Sequence, residues 1–352
     1  MHAVRVTEFG QADKLTWVEL ADPEPGPGEV LVSLVAAAVN RADLLFRSGR
    51  YHSGPALPAV LGSEGAGVVV DVGADVDGLV AGDRVVVWGS TGAPGFYAEL
   101  AVVSAESTLK VPESVSLPAA ATLPVAWLSA WYCLTHLARV RPGDVVLVHA
   151  AASGVGSAAV QIVNDAGGSV IGVVGSPEKE AWVRELGAND VLNRHDDDIV
   201  EQVRLLTSGR GADVALDLVG GDAFTTSVKA VGHAGRVAAM ANVALAPSTV
   251  DTRDFYTKNV SIFGFQLGDL MRHGWDPRPD LANLLDAVAE GRFTVPIDST
   301  FAMADAAAAH RRLETGKARG KVLLTSSRGD ELLAGRPNRP REGDDDEYSD
   351  VG

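Results

Sequence analysis

Between residues 145 and 265, short and wholly apolar runs alternate with stretches whose apolar residues recur every three or four positions. That is the pattern of buried parallel strands joined by amphipathic helices. The runs are Val145–His149, Ser169–Val174, one beginning at Val191-Leu192, Val214–Val219, Gly235–Met240 and Val260–Phe265. A helix follows the first run and ends near Gly167-Gly168. A second is capped by Ser176, has Pro177 at its first position and stops before Gly187, and Val203 marks a third. Six strands with helical crossovers predict a doubly wound parallel sheet.

The chain before this region is patterned differently. Met1–Val6 and Leu15–Leu20 read as a strand and hairpin, and Pro23–Glu29 as a rigid turn. Val30–Val39 is a buried strand that empties at Asn40 into a loop running to Tyr51. Leu61–Gly73 reads as two short strands punctuated by glycine, and Gly82–Val87 as the start of another. Short strands at close spacing without a long helix predict a β-barrel-like domain. Leu117–Leu137 turns helical, and after a helix over Asp280–Glu290 the segments Phe293–Asp298 and Lys321–Leu324 return to the first pattern. The parallel-sheet domain is therefore expected to be inserted within the barrel domain.

Composition narrows the function classes. A length of 352 residues, 46% hydrophobic content and 38 glycines suit a loop-rich two-domain α/β enzyme. No run of about 18 apolar residues is present and the first residues read as a strand, so the expectation is a cytoplasmic protein with no membrane partner. The single Cys133 excludes an internal disulfide and a cysteine-rich zinc lobe. A formal charge of −16, without a local basic groove, argues against a nucleic-acid partner. Part of that charge lies in Gly343–Glu347, and from about Ser326 the low apolar content predicts a disordered acidic tail.

The first apolar run leads into Ala151-Ala152-Ser153-Gly154-Val155-Gly156 and then alanine-rich helical sequence. One Gly-x-Gly among alanines is a weak fingerprint by itself. Placed on the first strand of a doubly wound sheet, Ser153, Gly154, Val155 and Gly156 become the expected seat of a pyrophosphate at a helix N-terminus. The second strand ends at Val174-Gly175-Ser176-Pro177-Glu178-Lys179, where a carboxylate would select NADH. Gly175, the Ser176 hydroxyl and the Lys179 ammonium suit the 2′-phosphate of NADPH instead, with Arg194 after the third strand as a further cation. The alternative for Lys179 and Arg194 is an ordinary solvated charge.

Taken together, Gly28–Val32, Asn40-Arg41-Ala42-Asp43, Leu61–Gly67, Gly82–Val85 and Ala150–Gly156 resemble the medium-chain dehydrogenase/reductase superfamily, and within it the zinc-independent quinone oxidoreductase branch. The resemblance runs from residue 1 to about 325. It implies an α/β fold with a GroES-like β-barrel catalytic domain (residues 1–124 and 294–327), an inserted Rossmann domain (125–293), a tail (328–352), a nicotinamide cleft between the two domains and a homodimer joined through an edge strand, here Val260–Phe265. Zinc-dependent relatives have cysteine where Asn40 stands and histidine where Ser63 stands, so no metal is expected. Glu64 and Asp43 are then read as hydrogen-bonding loops and backbone amides.

The same resemblance assigns Asn40 to orienting nicotinamide or substrate, Ser129 to the nicotinamide ring, and Met240, Ala241, Phe263, Phe265 and Lys321 to the cofactor side of the cleft. Phe263 and Phe265 read equally as plain core. Without a metal, reduction needs hydride placement and a proton donor. Tyr51 matches the position of a tyrosine implicated in protonation in enoyl-thioester reductases; the alternative is that it walls the pocket. The expected function is NADPH-dependent reduction of a small-molecule quinone or α,β-unsaturated carbonyl. An enoyl-thioester reductase, with Arg41, Arg47 or Arg50 near a pantetheine phosphate, is a second reading, and a low-turnover NADPH-binding protein a third.

Overall fold

The six apolar runs hydrogen-bond side by side as one sheet. In the computed structural model, which describes residues 1–52, 54–89 and 95–328, the strands are Val145–Val148, Ser169–Val174, Asp190–Asn193, Ala212–Asp217, Val231–Ala239 and Ser261–Gly264. The third strand lies at one edge, followed by the second, first, fourth, fifth and sixth. Every neighbouring pair is parallel. The order reverses between the first and fourth strands, which opens a crevice beyond their C-terminal ends. Val146, Leu147, Val148, Val214 and Leu216 are fully buried, because helices cover both faces of the sheet.

The barrel half is built on the long strand Glu29–Val39. It pairs antiparallel with Glu64–Val72 on one side and with Lys321–Thr325 and Leu100–Ser104 on the other. Arg84–Trp88, Thr108–Lys110 and Ile297–Ala302 complete this sheet, and Thr16–Glu19, His2–Val6 and Ala59–Val60 form a smaller one. Strands from residues 297 to 325 thus rejoin a sheet begun at residue 29, while the parallel sheet is made by the chain between them. The expected pair of short strands in Leu61–Gly73 is instead one nine-residue strand, Glu64–Val72.

Helix Leu117–Leu137 joins the two halves. It is apolar over most of its surface because both halves pack on it: Leu123, Trp127, Leu128 and Leu134 share one core cluster with Val68 and Val86 of the barrel and Val146, Val148 and Ala159 of the parallel-sheet half. Two segments, Leu123–Trp127 and Tyr132–Leu137, are wound as π-helix. The tail expected over 328–352 lies outside the described residues from 329 onward.

The expected functional loop from Asn40 begins instead with a helix, Arg41–Arg47. The reason is local. The Asn40 amide N–H donates to Asp43 Oδ2 at 2.8 Å, the reciprocal half of a capping box that an Asn-x-x-Asp spacing permits. Ser176 holds the expected N-cap position of Pro177–Glu185, but its side chain makes no cap hydrogen bond. Its hydroxyl instead helps hold the Glu178 carboxyl below the ordinary carboxylate range.

Candidate active site

The glycine-containing loop leaves the first strand of the parallel sheet and enters helix Gly154–Asp165. Ser153 caps that helix, its Oγ accepting the Gly156 N–H at 3.0 Å. A Cβ on Gly156 would lie 2.3 Å from the Ala150 carbonyl oxygen, so the turn closes only with glycine. A cleft of about 790 Å³ opens over this turn. Of the residues singled out from the sequence, it brings together Ser153, Gly154, Gly175, Lys179 and Arg194, and it adds Arg41 and His149.

Three cations from two parts of the chain converge there. Arg194 lies flat against Gly175, where a Cβ would meet its Nη1 at 2.5 Å. Lys179 is half-buried, and its Nζ donates to the Gly316 carbonyl in the barrel half at 2.6 Å. Burial and the neighbouring Arg194 guanidinium both pull the Lys179 ammonium below its ordinary range. Arg41 enters from the first turn of its helix in the barrel half. Asp197, Asp198 and Asp222 also line the cleft, and the three cations give an anion partners at the Gly175–Lys179 side of it. His149, 4% exposed, stands just past the first strand with its amide on the Leu216 carbonyl. Burial lowers its imidazole to about 4, which keeps it neutral.

Beneath the loop lies a buried polar triad. Lys321 Nζ donates to Asn40 Oδ1 at 2.6 Å and to Glu64 Oε1 at 2.9 Å, and Asn40 Nδ2 donates to the same Glu64 oxygen at 2.8 Å. The other carboxylate oxygen accepts the Val125 N–H of the joining helix at 2.7 Å. Glu64 is 0% and Lys321 4% exposed. The Lys321 stem passes directly under Gly154, whose Cβ would come within 2.5 Å of Lys321 Cδ. Lys321 therefore meets the cofactor loop through its apolar stem, with its ammonium committed to Asn40 and Glu64. Asn40 is likewise held inside this triad by both ends of its amide.

Asp43 anchors a second network. Its Oδ2 accepts from Asn40 N and, at 2.9 Å, from the Tyr97 hydroxyl. Tyr97 lies 3.4 Å from His310 Nε2, and His310 Nδ1 lies 3.4 Å from Arg47 Nη1. Arginine only donates, so Nδ1 is the acceptor and Nε2 carries the hydrogen. Arg47, 2% exposed, completes the chain on Glu314 at 2.5 Å. Burial pushes the Asp43 carboxyl up to about 6. Burial, assisted by Arg47, holds His310 down to about 3.

The other expected residues border different surfaces. Tyr51 is half-buried against the barrel core. Burial raises its phenol above the ordinary value, while the Gln266 carboxamide from the opposite half works the other way. Phe265 faces Tyr132 at 5.6 Å between ring centroids, and Tyr132 meets Trp275 at 4.8 Å. Ser129 is buried in the joining helix, one turn before Tyr132. Phe263 is half-buried in the edge strand opposite Ala238. Met240 and exposed Ala241 follow the fifth strand, and Val155 is half-buried in the first turn after Ser153. Gln266 was missed from the sequence. Its signal is its place just beyond the sixth strand, at the edge where such sheets present ligand contacts.

Residues 26–113 match the family model described as alcohol dehydrogenase GroES-like domain, and residues 154–290 the one described as zinc-binding dehydrogenase. A quinone oxidoreductase of Mus musculus is 32% identical over 92% of this chain and 97% of its own length. The chain belongs to the quinone oxidoreductase branch of the medium-chain dehydrogenase/reductase superfamily. The structure of Escherichia coli quinone oxidoreductase complexed with NADPH superposes on it with a TM-score of 0.85, at 29% identity, over 93% of this chain and 100% of the other. A mycocerosic acid synthase-like polyketide synthase of Mycobacterium tuberculosis is 32% identical over 85% of this chain, which spans 14% of that much longer protein. This quinone oxidoreductase homologue has the α/β fold of its superfamily, a GroES-like barrel beside a Rossmann sheet.

Proposed function

We propose that this chain is a zinc-independent NADPH-dependent oxidoreductase that reduces quinones or α,β-unsaturated carbonyl compounds. The observation that carries the cofactor is the convergence of Arg41, Lys179 and Arg194 on the cleft over the Ser153–Gly156 turn. Such a cation set fits a dinucleotide with an additional phosphate. The relative from Escherichia coli was solved with NADPH bound. When bound, NADPH supplies a hydride equivalent.

The chain's own residues do the rest. The turn at Ser153–Gly156 seats the pyrophosphate, and Lys179 and Arg194 face the 2′-phosphate. Tyr51 gives a proton to the oxygen that gains charge as the conjugated acceptor is reduced. The zinc-independent reading is supported by the Glu64 carboxylate, which already accepts Lys321 Nζ, Asn40 Nδ2 and Val125 N. Among the described residues no three of His, Cys, Asp and Glu gather closely enough to hold a metal. The homodimer is proposed through the edge strand Ser261–Gly264, where Ile262 is 40% exposed. Ile262→Lys is then expected to give a monomer in sedimentation.

Mixing the protein with NADPH and, in turn, a quinone, a simple enone and a crotonyl thioester tests the reading by loss of nicotinamide absorbance. Turnover fastest with the quinone or enone is expected. The resemblance to the polyketide synthase favours the thioester as the second reading, and thioester turnover far above the other two would replace the first. NADPH binding with no oxidation by any of the three would leave the binding-only reading.

A further inference from the structure

The turn over residues 315–320 leaves helix Ala306–Glu314, enters strand Lys321–Thr325, and supplies Gly316, Ala318 and Gly320 to the barrel-side wall of the cleft. The Gly316 carbonyl is the acceptor that holds Lys179 Nζ at 2.6 Å. One carboxylate pins both ends of this turn. Ile297 pairs with Lys321 and Ser299 with Val322, so Asp298 is one residue too many for the ladder. Such a bulge re-aims a side chain, and that of Asp298 is turned inward, 4% exposed. At the near end Arg312, in the last turn of the helix, donates from Nε to Oδ2 at 2.8 Å and from Nη2 to Oδ1 at 2.7 Å, a two-pronged fork. At the far end the Arg319 N–H donates to Oδ1 at 2.9 Å, and Ser299 Oγ adds a fourth bond to Oδ2 at 2.9 Å. Burial works to raise the carboxyl, but these bonds hold it below its ordinary range, so it stays ionised at neutral pH.

We infer that Asp298 is a positioning residue for the choice of NADPH over NADH: it fixes the 315–320 turn so that Gly316 presents the Lys179 ammonium beside Arg194. This rests on the reading of Lys179 as a ligand of the 2′-phosphate. Lysine carries its charge on a long flexible stem, and holding that stem at the cleft in advance removes part of the ordering cost of binding. When the turn drifts, the Gly316 carbonyl goes with it and Lys179 is no longer held. The charge of Asp298 works in the opposite sense. It acts on Lys179 from nearby, so as a mere anion it disfavours a second anion at the same place. Position and charge therefore predict changes of opposite sign when Asp298 is removed.

Fluorescence titration of the whole protein with NADPH and with NADH separates the two. In Asp298→Ala the Kd for NADPH is expected to rise about tenfold, the loss of roughly one charge-assisted contact, while that for NADH changes less than about twofold. Arg312→Lys keeps the charge and loses the fork, so it should weaken NADPH by about threefold with NADH again unmoved. Arg312 is 34% exposed, and this variant decides the matter where Asp298→Ala does not fold. In a Lys179→Ala background neither substitution should change the ratio of the two affinities further. NADPH bound as tightly as by wild type, or more tightly, in Asp298→Ala would overturn the inference, as would equal losses of both cofactors, the result of a merely structural role. Unchanged NADPH affinity in Arg312→Lys would overturn it too. Each of these leaves the reading of Lys179 in place so long as Lys179→Ala itself costs NADPH more than NADH. Equal losses in Lys179→Ala alone would overturn that reading and the inference with it.

Discussion

Lys321→Met isolates the electrostatic part of the Asn40–Glu64–Lys321 triad. Methionine keeps most of the apolar stem under Gly154 and removes the ammonium. Glu64, fully buried, then retains two neutral donors, Asn40 Nδ2 at 2.8 Å and Val125 N at 2.7 Å, and loses its cationic partner at 2.9 Å. Breaking a buried ion pair from one side costs about 3–5 kcal/mol. In Lys321→Met/Glu64→Gln no charge is left stranded; one amide hydrogen facing the Val125 N–H leaves a penalty of about 1–3 kcal/mol. The double variant should therefore be more stable than Lys321→Met by roughly 2 kcal/mol. Equilibrium urea unfolding at pH 7.5, followed by tryptophan fluorescence, measures the differences, with buried Trp127 against Phe293 as an internal reporter. A Lys321→Met protein within about 1 kcal/mol of wild type, or a double variant no more stable than the single, would show that the ion pair is not what holds the triad.

Lys179→Ala should weaken NADPH by roughly 10- to 100-fold in Kd, the equivalent of one charge-assisted phosphate contact, and NADH by much less; equal losses in fluorescence titrations would remove Lys179 from the 2′-phosphate. Gly156→Ala places a Cβ 2.3 Å from the Ala150 carbonyl, so the turn must shift and affinity for NADPH and NADH should fall together, with wild-type affinity as the refuting result. Asp43 supplies a pH dependence. Its carboxyl rises from 3.8 to about 6 on burial, so the folded state holds that proton more tightly than the unfolded chain, and this contribution to stability is lost as pH rises from 4 to 6. About two pKa units correspond to ~3 kcal/mol. Asp43→Asn should therefore gain about that much stability relative to wild type between pH 4 and pH 7, and a difference that does not change with pH would refute the assignment.

Much of the fold was legible because it is written locally. Each apolar run between 145 and 264 became a strand within a few residues of its expected place, since buried parallel strands need no partner-specific signal to be recognised. The family motifs fell on the barrel strands, on the start of helix Arg41–Arg47 and on the turn after the first parallel strand. The helix Arg41–Arg47 was missed although Asn40 and Asp43 carried its cap spacing, because a buried strand ending in a polar residue also reads as the start of a loop. The triad could not be read in the same way. Lys321 lies 281 positions from Asn40 and 257 from Glu64, and no periodicity links residues that meet only when the C-terminal strand rejoins the barrel sheet. The chain from Asp43 through Tyr97 and His310 to Arg47 is equally non-local. Resemblance named Lys321 as a cofactor residue, and only the packing shows that its stem rather than its ammonium meets the loop.

That packing also says where the cleft can open. At the back, the Gly320 N–H donates to the Ala152 carbonyl at 2.9 Å, Ser153 and Gly320 form a β-bridge, Lys321 runs under Gly154, and Glu64 accepts from Val125. These contacts tie the pyrophosphate turn and the joining helix to the barrel half through backbone hydrogen bonds, the packed Lys321 stem and the fully buried Glu64 carboxylate. At the front, the halves meet through the half-exposed Lys179 bond to the Gly316 carbonyl. Opening at the front breaks the half-exposed Lys179–Gly316 hydrogen bond, contributing about 1 kcal/mol, whereas opening at the back breaks the Gly320–Ala152 backbone bond and leaves a buried Glu64 oxygen without its Val125 donor. Movement that admits cofactor and substrate should therefore hinge about the Gly320–Ala152 side, leaving the turn and Asn40 fixed relative to one another while Lys179 exchanges Gly316 for phosphate.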